Sequence, residues 1–354
     1  MAVETVRVGL EERAYDILIG SGVRERAAEL AYGRLLTVTD SEVDERYGEW
    51  IDTVIGADSK FIFPAGEASK TPVTVIDICR YAALEKYDRK SCFVAVGGGV
   101  VGDMTGFAAA IYMRGVRFVQ IPTTLLAMVD SSVGGKTGVD IPEGKNLVGA
   151  FHQPQLVLID PDFLKTLPVR EIRCGLAEIV KTAMILDAEL FAELERDPAG
   201  LVDAADFGRM ARIIRRCCEL KAAVVAEDER EAGLRAILNY GHTFGHAVEM
   251  LSGFSISHGE GVAIGMCAAA ELAVASGTLS RAEADRQKAL LQAVGLPVSL
   301  SRRFAVDKVV DVMGRDKKNA DGRIKVVTVD RIGHAAVGQP PLEAIAAAVE
   351  AIYA

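Results

Sequence analysis

The first half of the chain alternates short β-rich runs with helical runs, and this alternation limits the fold more than any other feature. Each β-rich run is bounded by Gly, Pro, Asp or Ser, and helical patterns lie between several of them. The runs are Arg34–Thr39, Lys60–Phe63, Cys92–Val96, Arg117–Ile121 and Leu156–Ile159. Strands separated by helices predict an open, parallel α/β sheet.

From Pro168 onward the pattern becomes helical, apart from one short predicted strand. The predicted helices are Glu171–Glu195, Phe207–Ala226, Leu234–Leu251, Gly261–Ser276 and Arg281–Ala293, and the strand is Arg323–Val329. We therefore expect an α/β domain over 1–166 and an α-helical domain over 167–354, with a cleft between them. Clefts between domains are favoured places for small-molecule sites.

Composition excludes several classes of protein. The 354 residues carry a formal charge of −9, whereas proteins that bind nucleic acid usually present a basic surface. The N-terminal residues lack a signal peptide's apolar core, and the most apolar segments are too short and too rich in Ala and Gly to span a bilayer. The six cysteines form no CxxC pair, so we expect free thiols in a reducing cytoplasm.

A glycine-rich turn follows the predicted strand Cys92–Val96. It reads Gly97–Gly102, and a helix is expected from about Asp103. Small residues before a helix N-terminus let a pyrophosphate approach the backbone, so the turn favours a dinucleotide. The strand is not the first of the chain and no acid follows about 20 residues later, as the standard fingerprint requires; Asp40 instead ends an earlier strand. The alternative is a tight turn packed for steric reasons.

The segment Gly134–Thr137 reads GGKT and resembles the end of a P-loop. The pattern G-x-x-x-x-G-K-[ST] requires glycine five residues before Gly135, but that position is Asp130, whose carboxylate would repel phosphate. We therefore reject a P-loop. Lys136, with Lys145 and Asn146 further along, is predicted to meet an anionic ligand from loops.

Three of the five histidines lie within seventeen residues. On a continuous helix from Leu234, the residues Arg235, Asn239, His242 and His246 would share one polar face. Spacing alone favours His242 and His246 as zinc ligands, with Glu178, three residues before Lys181 on the same helix face, as a candidate carboxylate. The alternative is that the histidines are buried in the core with their hydrogen bonds satisfied there. The absence of H-E-x-x-H argues against a metalloprotease, and Gly241 and Gly245 suggest a close backbone approach.

Several long blocks together resemble the 3-dehydroquinate synthase family, within the sugar phosphate cyclase superfamily. They are GGGVVGDMTGFAAAIYMRGVRFVQIPTTLLAMVDSSVGGKTGVDIPEGKNLVGAFHQP, GLAEIVKTA, DEREAGLRAILNYGHTFGHAVE, SHGEGVAIGM and RDKKN. The resemblance implies a Rossmann-like NAD-binding α/β domain followed by an all-α metal- and substrate-binding domain, usually as a homodimer. It also implies bound NAD and one divalent metal, Zn²⁺ or Co²⁺.

The resemblance assigns residues to these ligands. Its metal ligands fall on Glu178, His242 and His258, so the resemblance puts His258 in the place of His246. His246 instead matches a residue facing the substrate phosphate. Its NAD contacts fall on Asp40, Glu67, Lys70, Gly98, Gly99, Val100, Gly102, Asp103, Thr123, Thr124, Lys136, Lys145 and Thr166. Its catalytic and substrate-binding positions fall on Asp130, Lys136, Lys145, Asn146, Lys181, Lys221, Arg235, Asn239, His246 and either Lys317 or Lys318, and Arg114 matches an arginine that reaches the partner's site.

The implied reaction converts 3-deoxy-D-arabino-heptulosonate 7-phosphate to 3-dehydroquinate and phosphate, a step of aromatic amino acid biosynthesis. It proceeds by transient oxidation with NAD, β-elimination of phosphate, reduction and aldol closure. Lys221 and Arg235 are assigned to the substrate carboxylate, which argues against the sister cyclases that make 2-deoxy-scyllo-inosose or valiolone-type rings. An aminodehydroquinate synthase would keep the same residues, and a metal-dependent polyol dehydrogenase would not need the phosphate site.

Overall fold

The computed structural model describes residues 3–56, 59–204, 206–253, 255–301, 304–314 and 323–353. The chain forms two compact units, one of Met1–Leu167 with Asp206–Arg230 and one of Pro168–Ala205 with Glu231–Ala354. The second unit therefore differs from the predicted domain 167–354, because Asp206–Arg230 belongs with the first unit.

The strands and helices are numbered in chain order. The strands are β1 Glu4–Val8, β2 Tyr15–Ile19, β3 Leu35–Asp40, β4 Ser59–Phe63, β5 Cys92–Gly97, β6 Arg117–Pro122, β7 Lys136–Ile141, β8 Gly144–Phe151, β9 Leu156–Ile159, β10 Val326–Arg331 and β11 His334–Gly338. The α-helices are α1 Ser41–Trp50, α2 Pro72–Leu84, α3 Gly99–Ile111, α4 Val169–Leu186, α5 Ala188–Arg196, α6 Pro198–Asp203, α7 Phe207–Glu227, α8 His242–Leu251, α9 His258–Ala275, α10 Arg281–Ala293, α11 Val306–Gly314 and α12 Leu342–Ala351. None of the helices within the described ranges is long and apolar enough to span a bilayer.

The first unit is built on a seven-stranded sheet. Its strand order is β1-β2-β9-β6-β5-β3-β4, and every neighbouring pair is parallel except β1 with β2. All five predicted strands are present in this sheet. The strands β5 and β9 are almost entirely buried apolar residues, as expected for a parallel sheet covered on both faces. The predicted α/β class of the N-terminal region is confirmed.

Helix α7 explains why the second unit differs from the predicted domain 167–354. Its apolar stripe includes the buried residues Met210, Ile213, Ile214 and Cys217, and the helix packs on β1 and on the turn Ala127–Ser131. A helix with an amphipathic stripe must bury that stripe against a partner. In this chain the partner lies in the first unit, which sequence order alone does not reveal.

The described part of the second unit is largely helical, as expected, and it also contains the antiparallel pair β10–β11, whose first strand overlaps the predicted strand Arg323–Val329. The predicted helix Glu171–Glu195 is divided into α4 and α5. The division falls at Asp187, whose side chain accepts hydrogen bonds from the backbone of Glu189 and Leu190. Such an N-cap begins a new helix.

The predicted helix Leu234–Leu251 is also divided, and the predicted continuous polar face is therefore wrong. Leu234–Asn239 forms a 3₁₀-helix. Gly241 has a left-handed backbone with φ of 77°, and α8 begins at His242. A left-handed residue ends a right-handed helix and is readily adopted only by glycine.

Candidate active site

A cluster of one carboxylate and two imidazoles lies in the second unit. Glu178 Oε1 on α4 is 3.6 Å from His242 Nε2 on α8 and 3.2 Å from His258 Nε2 on α9. The three donor atoms all lie within 4.8 Å of one another. Ligands of a tetrahedral zinc ion are roughly 3.4 Å apart, given metal–ligand bonds of about 2.0–2.1 Å. The donor types and their separations fit a divalent metal with open positions.

Glu178 is fully buried and also contacts an ammonium group. Its second oxygen, Oε2, forms an ion pair with Lys181 Nζ one turn further along α4, and the Lys181 side chain is 2% exposed. A buried carboxylate is stable as an ion only when it is paired. The pair therefore keeps Glu178 ionised while its other oxygen faces both histidines.

The second ring nitrogen of each histidine is hydrogen-bonded. His242 Nδ1 lies 3.1 Å from the Tyr240 carbonyl oxygen, and His258 Nδ1 lies 3.0 Å from Glu249 Oε1. These contacts occupy Nδ1 of both rings and leave Nε2, the nitrogen that a metal would take, facing Glu178.

Electrostatics differ between the two rings. Burial, followed by the Lys181 ammonium, lowers the pKa of His242 well below its usual value, so this ring is neutral and able to bind metal. Burial also disfavours the charged form of His258, but hydrogen bonds to Glu178 and Glu249 raise its pKa to about 10. Metal binding at His258 would therefore release a proton.

Glycines bring the three ligand-bearing helices together. A Cβ on Gly265 of α9 would lie 1.9 Å from the Gly241 carbonyl oxygen, and one on Gly245 would lie 2.7 Å from the Gly261 carbonyl oxygen. A Cβ on Gly259 would lie 2.4 Å from Cys174 Cα on α4. The close approach suggested by Gly241 and Gly245 is thus an approach to α9, and it sets His242 beside His258.

The other polar residues of the predicted stripe lie in the same unit. The His246 ring centroid is 5.2 Å from that of His242 and 5.9 Å from that of His258. Arg235 is 1% exposed, and Asn239 Nδ2 donates a 2.5 Å hydrogen bond to Glu231 Oε1. His246 therefore lies beside the cluster, whereas Arg235 and Asn239 lie in the 3₁₀-helix that precedes α8.

In the first unit, the glycine turn leads directly into α3. The helix begins at Gly99, earlier than the predicted start near Asp103, with Gly98 as its N-cap. Val100 and Gly102 lie in the first turn. A Cβ on Gly102 would lie 2.6 Å from Gln120 Oε1, so a larger residue here would have to displace the Gln120 amide. Gly98 and Gly99 are partly exposed at the helix N-terminus, where backbone N–H groups attract anions.

The buried Lys70 lies at the centre of a polar network in this unit. Its Nζ donates hydrogen bonds to Asp103 Oδ2 at 2.6 Å and to Asn146 Oδ1 at 2.8 Å. Burial disfavours its charge, but Asp103 and Glu67 raise the pKa of Lys70 above its usual value. Lys145 Nζ lies 3.2 Å from Glu67 Oε1. The network therefore joins four of the predicted NAD contacts, one of which, Lys145, is also a predicted substrate contact, and the predicted substrate contact Asn146.

Lys136, Lys145 and Asn146 were expected in loops, but they lie on the β7–β8 hairpin. Lys136 is the first residue of β7, and Asn146 lies in β8 with a left-handed φ of 52°. A P-loop lysine would begin a helix instead, so the structure agrees with rejecting that motif. Antiparallel pairing places Lys136 opposite Phe151, and such pairing is not visible in a segment that lacks regular alternation.

Asp130 contacts a second predicted site residue. Lys221 Nζ on α7 forms an ion pair with the Asp130 carboxylate and a 2.6 Å hydrogen bond to its carbonyl oxygen. The return of α7 to the first unit is what brings these two residues together.

The remaining predicted residues have separate environments. The Asp40 carboxylate caps α1 by accepting from the backbone of Glu42 and Val43. Thr123 is buried after β6, Thr124 Oγ1 accepts from Ala127 N, and Thr166 Oγ1 lies 2.5 Å from the Tyr47 hydroxyl. Arg114 is exposed on a turn where Met113, Arg114 and Gly115 all have positive φ. Lys317 and Lys318 lie outside the described residues.

Sequence reasoning missed three carboxylates that hold site residues. Glu249 contacts His258, Glu231 contacts Asn239, and Asp140 Oδ1 accepts from the Asn146 backbone at 2.8 Å. Glu249 carried a detectable signal, since it follows His246 by three residues and so shares its helix face. Glu231 lies in an irregular segment and Asp140 lies in β7 where the register of the hairpin shifts, so periodicity marks neither.

Comparisons with known proteins show which family the chain matches. Residues 60–174 match the model of the 3-dehydroquinate synthase N-terminal domain, and residues 175–319 match the C-terminal domain. A 3-dehydroquinate synthase from Synechococcus sp. is 47% identical over 364 residues, covering 98% of each chain.

Two solved structures have the same fold over nearly their whole length. One is 2-epi-5-epi-valiolone synthase from Streptomyces hygroscopicus with NAD⁺ and Zn²⁺ bound, at 33% identity and a TM-score of 0.88, covering 97% of this chain and 98% of that one. The other is 2-deoxy-scyllo-inosose synthase with carbaglucose-6-phosphate, NAD⁺ and Co²⁺, at 26% identity and a TM-score of 0.89, covering 98% of this chain and 99% of that one. From the matched domains and the curated relative, we conclude that the chain belongs to the 3-dehydroquinate synthase family.

Proposed function

We propose that this chain converts 3-deoxy-D-arabino-heptulosonate 7-phosphate to 3-dehydroquinate and inorganic phosphate, as a carbon–oxygen lyase of the shikimate pathway. The observation that carries the proposal is the cluster of Glu178 Oε1, His242 Nε2 and His258 Nε2 in a chain of this family. Three protein ligands leave open positions, which suits a metal that binds substrate rather than one that only supports the fold.

NAD and a divalent metal ion, Zn²⁺ or Co²⁺, are the proposed cofactors. When bound, they supply a reversible hydride transfer and an electrophile for substrate hydroxyls. Glu178, His242 and His258 would hold the metal. Gly98 and Gly99 at the start of α3 support the NAD assignment, because small residues at a helix N-terminus admit a pyrophosphate. Lys70, Asp103 and Glu67 would line the same site.

Cationic residues would bind the two anionic ends of the substrate. We assign Lys136, Lys145, Asn146 and His246 to the phosphate, which makes the GGKT segment part of a phosphate site. We assign Arg235 and Lys221 to the carboxylate, and Asn239 to a neighbouring polar group. Asp130 holds the Lys221 ammonium through the ion pair described above, so its proposed role is to position that lysine. Lys181 keeps Glu178 ionised.

The decisive assay mixes purified protein with the heptulosonate phosphate, NAD and Zn²⁺, and follows free phosphate and NADH absorbance together. We expect stoichiometric phosphate release without accumulation of NADH, abolished by a chelator. NADH that accumulates without phosphate would indicate a polyol dehydrogenase. No turnover, together with activity on the amino analogue, glucose 6-phosphate or sedoheptulose 7-phosphate, would assign the chain to a sister cyclase.

The carboxylate assignment has its own test. Arg235→Lys keeps the charge but loses the planar fork that binds both carboxylate oxygens. We expect the variant to raise KM for the heptulosonate phosphate by at least about tenfold, on the order of one charge-assisted hydrogen bond, and to leave the Kd of NAD unchanged. Equal losses for both ligands would contradict the assignment, and calorimetry with NAD alone separates the two cases.

We also propose a homodimer in the cytoplasm in which Arg114 reaches the partner's site. The exposed Arg114 on a turn of three left-handed residues supports this assignment, because backbone strain of this kind is often kept where a side chain must be presented. The six free cysteines are compatible with a reducing compartment. Sedimentation velocity tests the dimer, and complementation between Arg114→Ala and His258→Ala chains tests the shared site.

A further inference from the structure

Glu249 is a buried carboxylate that no step of the proposed reaction uses. It lies on α8 with 1% of its surface exposed, and its Oε1 is 3.0 Å from His258 Nδ1 on α9. On the opposite side of the same ring, His258 Nε2 is 3.2 Å from Glu178 Oε1. The His258 imidazole therefore lies between two carboxylates, one at each nitrogen.

The packing around Glu249 leaves room for this contact. A Cβ on Gly261 of α9 would lie 2.9 Å from Glu249 Cγ and 3.1 Å from Glu249 Oε1, so any larger residue at 261 would push the carboxylate away. Burying a carboxylate is unfavourable unless it is paired and hydrogen-bonded. The fold thus buries the Glu249 carboxylate although burial is unfavourable, and the glycine at 261 of α9 leaves the space that this carboxylate occupies.

The partner of Nδ1 is a backbone carbonyl at His242 and a side chain at His258. The Nδ1 of His242 is held by the Tyr240 carbonyl oxygen, which is backbone and is supplied by any residue at that position. His258 begins α9, and for its Nδ1 the structure gives a side-chain carboxylate as partner. The orientation of the second imidazole therefore depends on the identity of residue 249.

A direct metal-binding role for Glu249 is the competing interpretation. Atoms of His246, Glu249 and His258 also lie within 4.8 Å of one another. In that arrangement Glu249 would bind the metal itself instead of holding Nδ1 of His258 in a hydrogen bond. The arrangement of Glu178, His242 and His258 instead uses Nε2 of both rings and leaves each Nδ1 in a hydrogen bond, which is the usual pattern for metal-binding histidines.

We propose that Glu249 is a positioning residue that fixes the tautomer and ring orientation of His258, and thereby sets the metal affinity of the site. The proposal rests on the proposed metal site of the family reaction. A carboxylate behind a ligand histidine orients the ring and makes it a stronger donor, and loss of such a partner typically weakens metal binding about 10–100-fold. Glu249 touches neither substrate nor metal in this role.

The test measures metal binding without substrate. The apo forms of the wild type, Glu249→Gln, Glu249→Leu and Glu178→Gln are titrated with Co²⁺ and Zn²⁺ against a chromophoric chelator, and the visible spectrum of bound Co²⁺ is recorded. We expect Glu249→Leu to bind about 10–100-fold more weakly with unchanged stoichiometry and an altered Co²⁺ spectrum. Glu249→Gln, which retains an acceptor but no charge, should fall between it and the wild type.

Controls separate positioning from general damage. Glu271→Gln changes a partly buried glutamate on the neighbouring helix α9, one that pairs with Arg281, and should leave both the Kd and the spectrum unchanged. Circular dichroism of the apo variants checks folding, and if Glu249→Leu does not fold, Glu249→Gln carries the test. Unchanged affinity and spectrum in the folded variants would overturn the proposal.

Two further outcomes are decisive. Loss of stoichiometric binding in Glu249→Gln, equal to that in Glu178→Gln, would make Glu249 a metal ligand and also overturn the proposal. A wild type that binds metal and responds to these substitutions but does not turn over the heptulosonate phosphate would contradict the proposed function alone.

Discussion

Single residues in the second unit determine which nitrogen each histidine offers. The Tyr240 carbonyl holds Nδ1 of His242, and Glu249 holds Nδ1 of His258, so both Nε2 atoms face Glu178. His246 also lies close to both rings, yet it is not part of that donor set. The spacing of His242 and His246 on one helix face had suggested that these two bind the metal together.

Two substitutions distinguish these assignments. We expect His242→Ala to lose stoichiometric Zn²⁺, because it removes one of three ligands, and His246→Ala to retain about one metal ion per chain. Atomic absorption after gel filtration, with equilibrium dialysis against Co²⁺, provides the measurement. The predicted role of His246 at the phosphate would then appear as a raised KM in the metal-loaded His246→Ala enzyme. The reverse metal contents would restore the pairing suggested by spacing.

At the scale of helices, the site depends on how closely α8 and α9 approach. Gly265 lies against the carbonyl of Gly241, and Gly245 lies against that of Gly261. These contacts are between backbones, so no side chain can yield to relieve a clash. The helices carry His242 and His258 at their first positions, and their separation therefore sets the distance between the two imidazoles.

Gly265→Ala should disrupt both the packing and the metal site. Its Cβ would lie 1.9 Å from the Gly241 carbonyl oxygen, so the helices must move apart. We expect a loss of about 2–3 kcal/mol or more in the free energy of unfolding, at the upper end for an overpacked core, together with weaker Zn²⁺ binding. Urea unfolding of the apo protein and chelator competition measure the two effects.

A matched control for this substitution is Gly314→Ala in α11. A Cβ there has no heavy atom within 4 Å, so the same chemical change is made without a clash. We expect it to be neutral or to stabilise by up to about 1 kcal/mol, through lower entropy of the unfolded chain. If Gly265→Ala behaves like Gly314→Ala, the close approach of the two helices is incorrect.

For the whole molecule, the metal should contribute to stability as well as to chemistry. A ligand that binds only the folded state stabilises it by RT ln(1 + [L]/Kd), about 2.7 kcal/mol at 100 times Kd. We therefore expect a chelator to lower the melting temperature of the wild type and added Zn²⁺ to restore it. His258→Ala, which lacks a ligand, should show no such response in differential scanning calorimetry. A metal-insensitive melting temperature in the wild type would contradict the site.

His152, which lies outside the candidate site, should contribute to the loss of stability in acid. His152 stacks on Phe118 with ring centroids 5.3 Å apart, and its Nε2 lies 2.8 Å from the Val116 carbonyl oxygen. Burial lowers the pKa of His152 below its usual value. Below about pH 6.5 the unfolded chain therefore binds a proton that the folded protein does not, so stability falls as the pH falls, by at most about 1.4 kcal/mol per pH unit.

His152→Gln keeps a donor for the Val116 carbonyl but cannot be protonated in this range. We expect the variant to lose less stability than the wild type between pH 7 and pH 5, in urea unfolding at each pH. Taking the difference between the two proteins removes the contributions of the other titrating groups. Parallel pH profiles would show that His152 is protonated in the folded protein.

The sequence by itself determined the α/β class, all five of the strands predicted in the first half, the glycine turn after β5 and the rejection of a P-loop. These features are local, because the burial of a strand and the conformation of a turn are reflected in the types of a few neighbouring residues. Spacing singled out His242 and Glu178, but only the resemblance to a family replaced His246 with His258. Periodicity favoured His246 over His258, since it reads one helix at a time.

Only the tertiary structure decided the rest. It returned α7 to the sheet unit and so paired Lys221 with Asp130, it ended the predicted helix at Gly241, and it placed Glu249 behind His258. Each outcome depends on contacts between residues far apart in the chain, where the fit of one backbone against another outweighs helix propensity. A pattern along the chain records which residues are buried, but the partner that buries them is settled only when the helices pack.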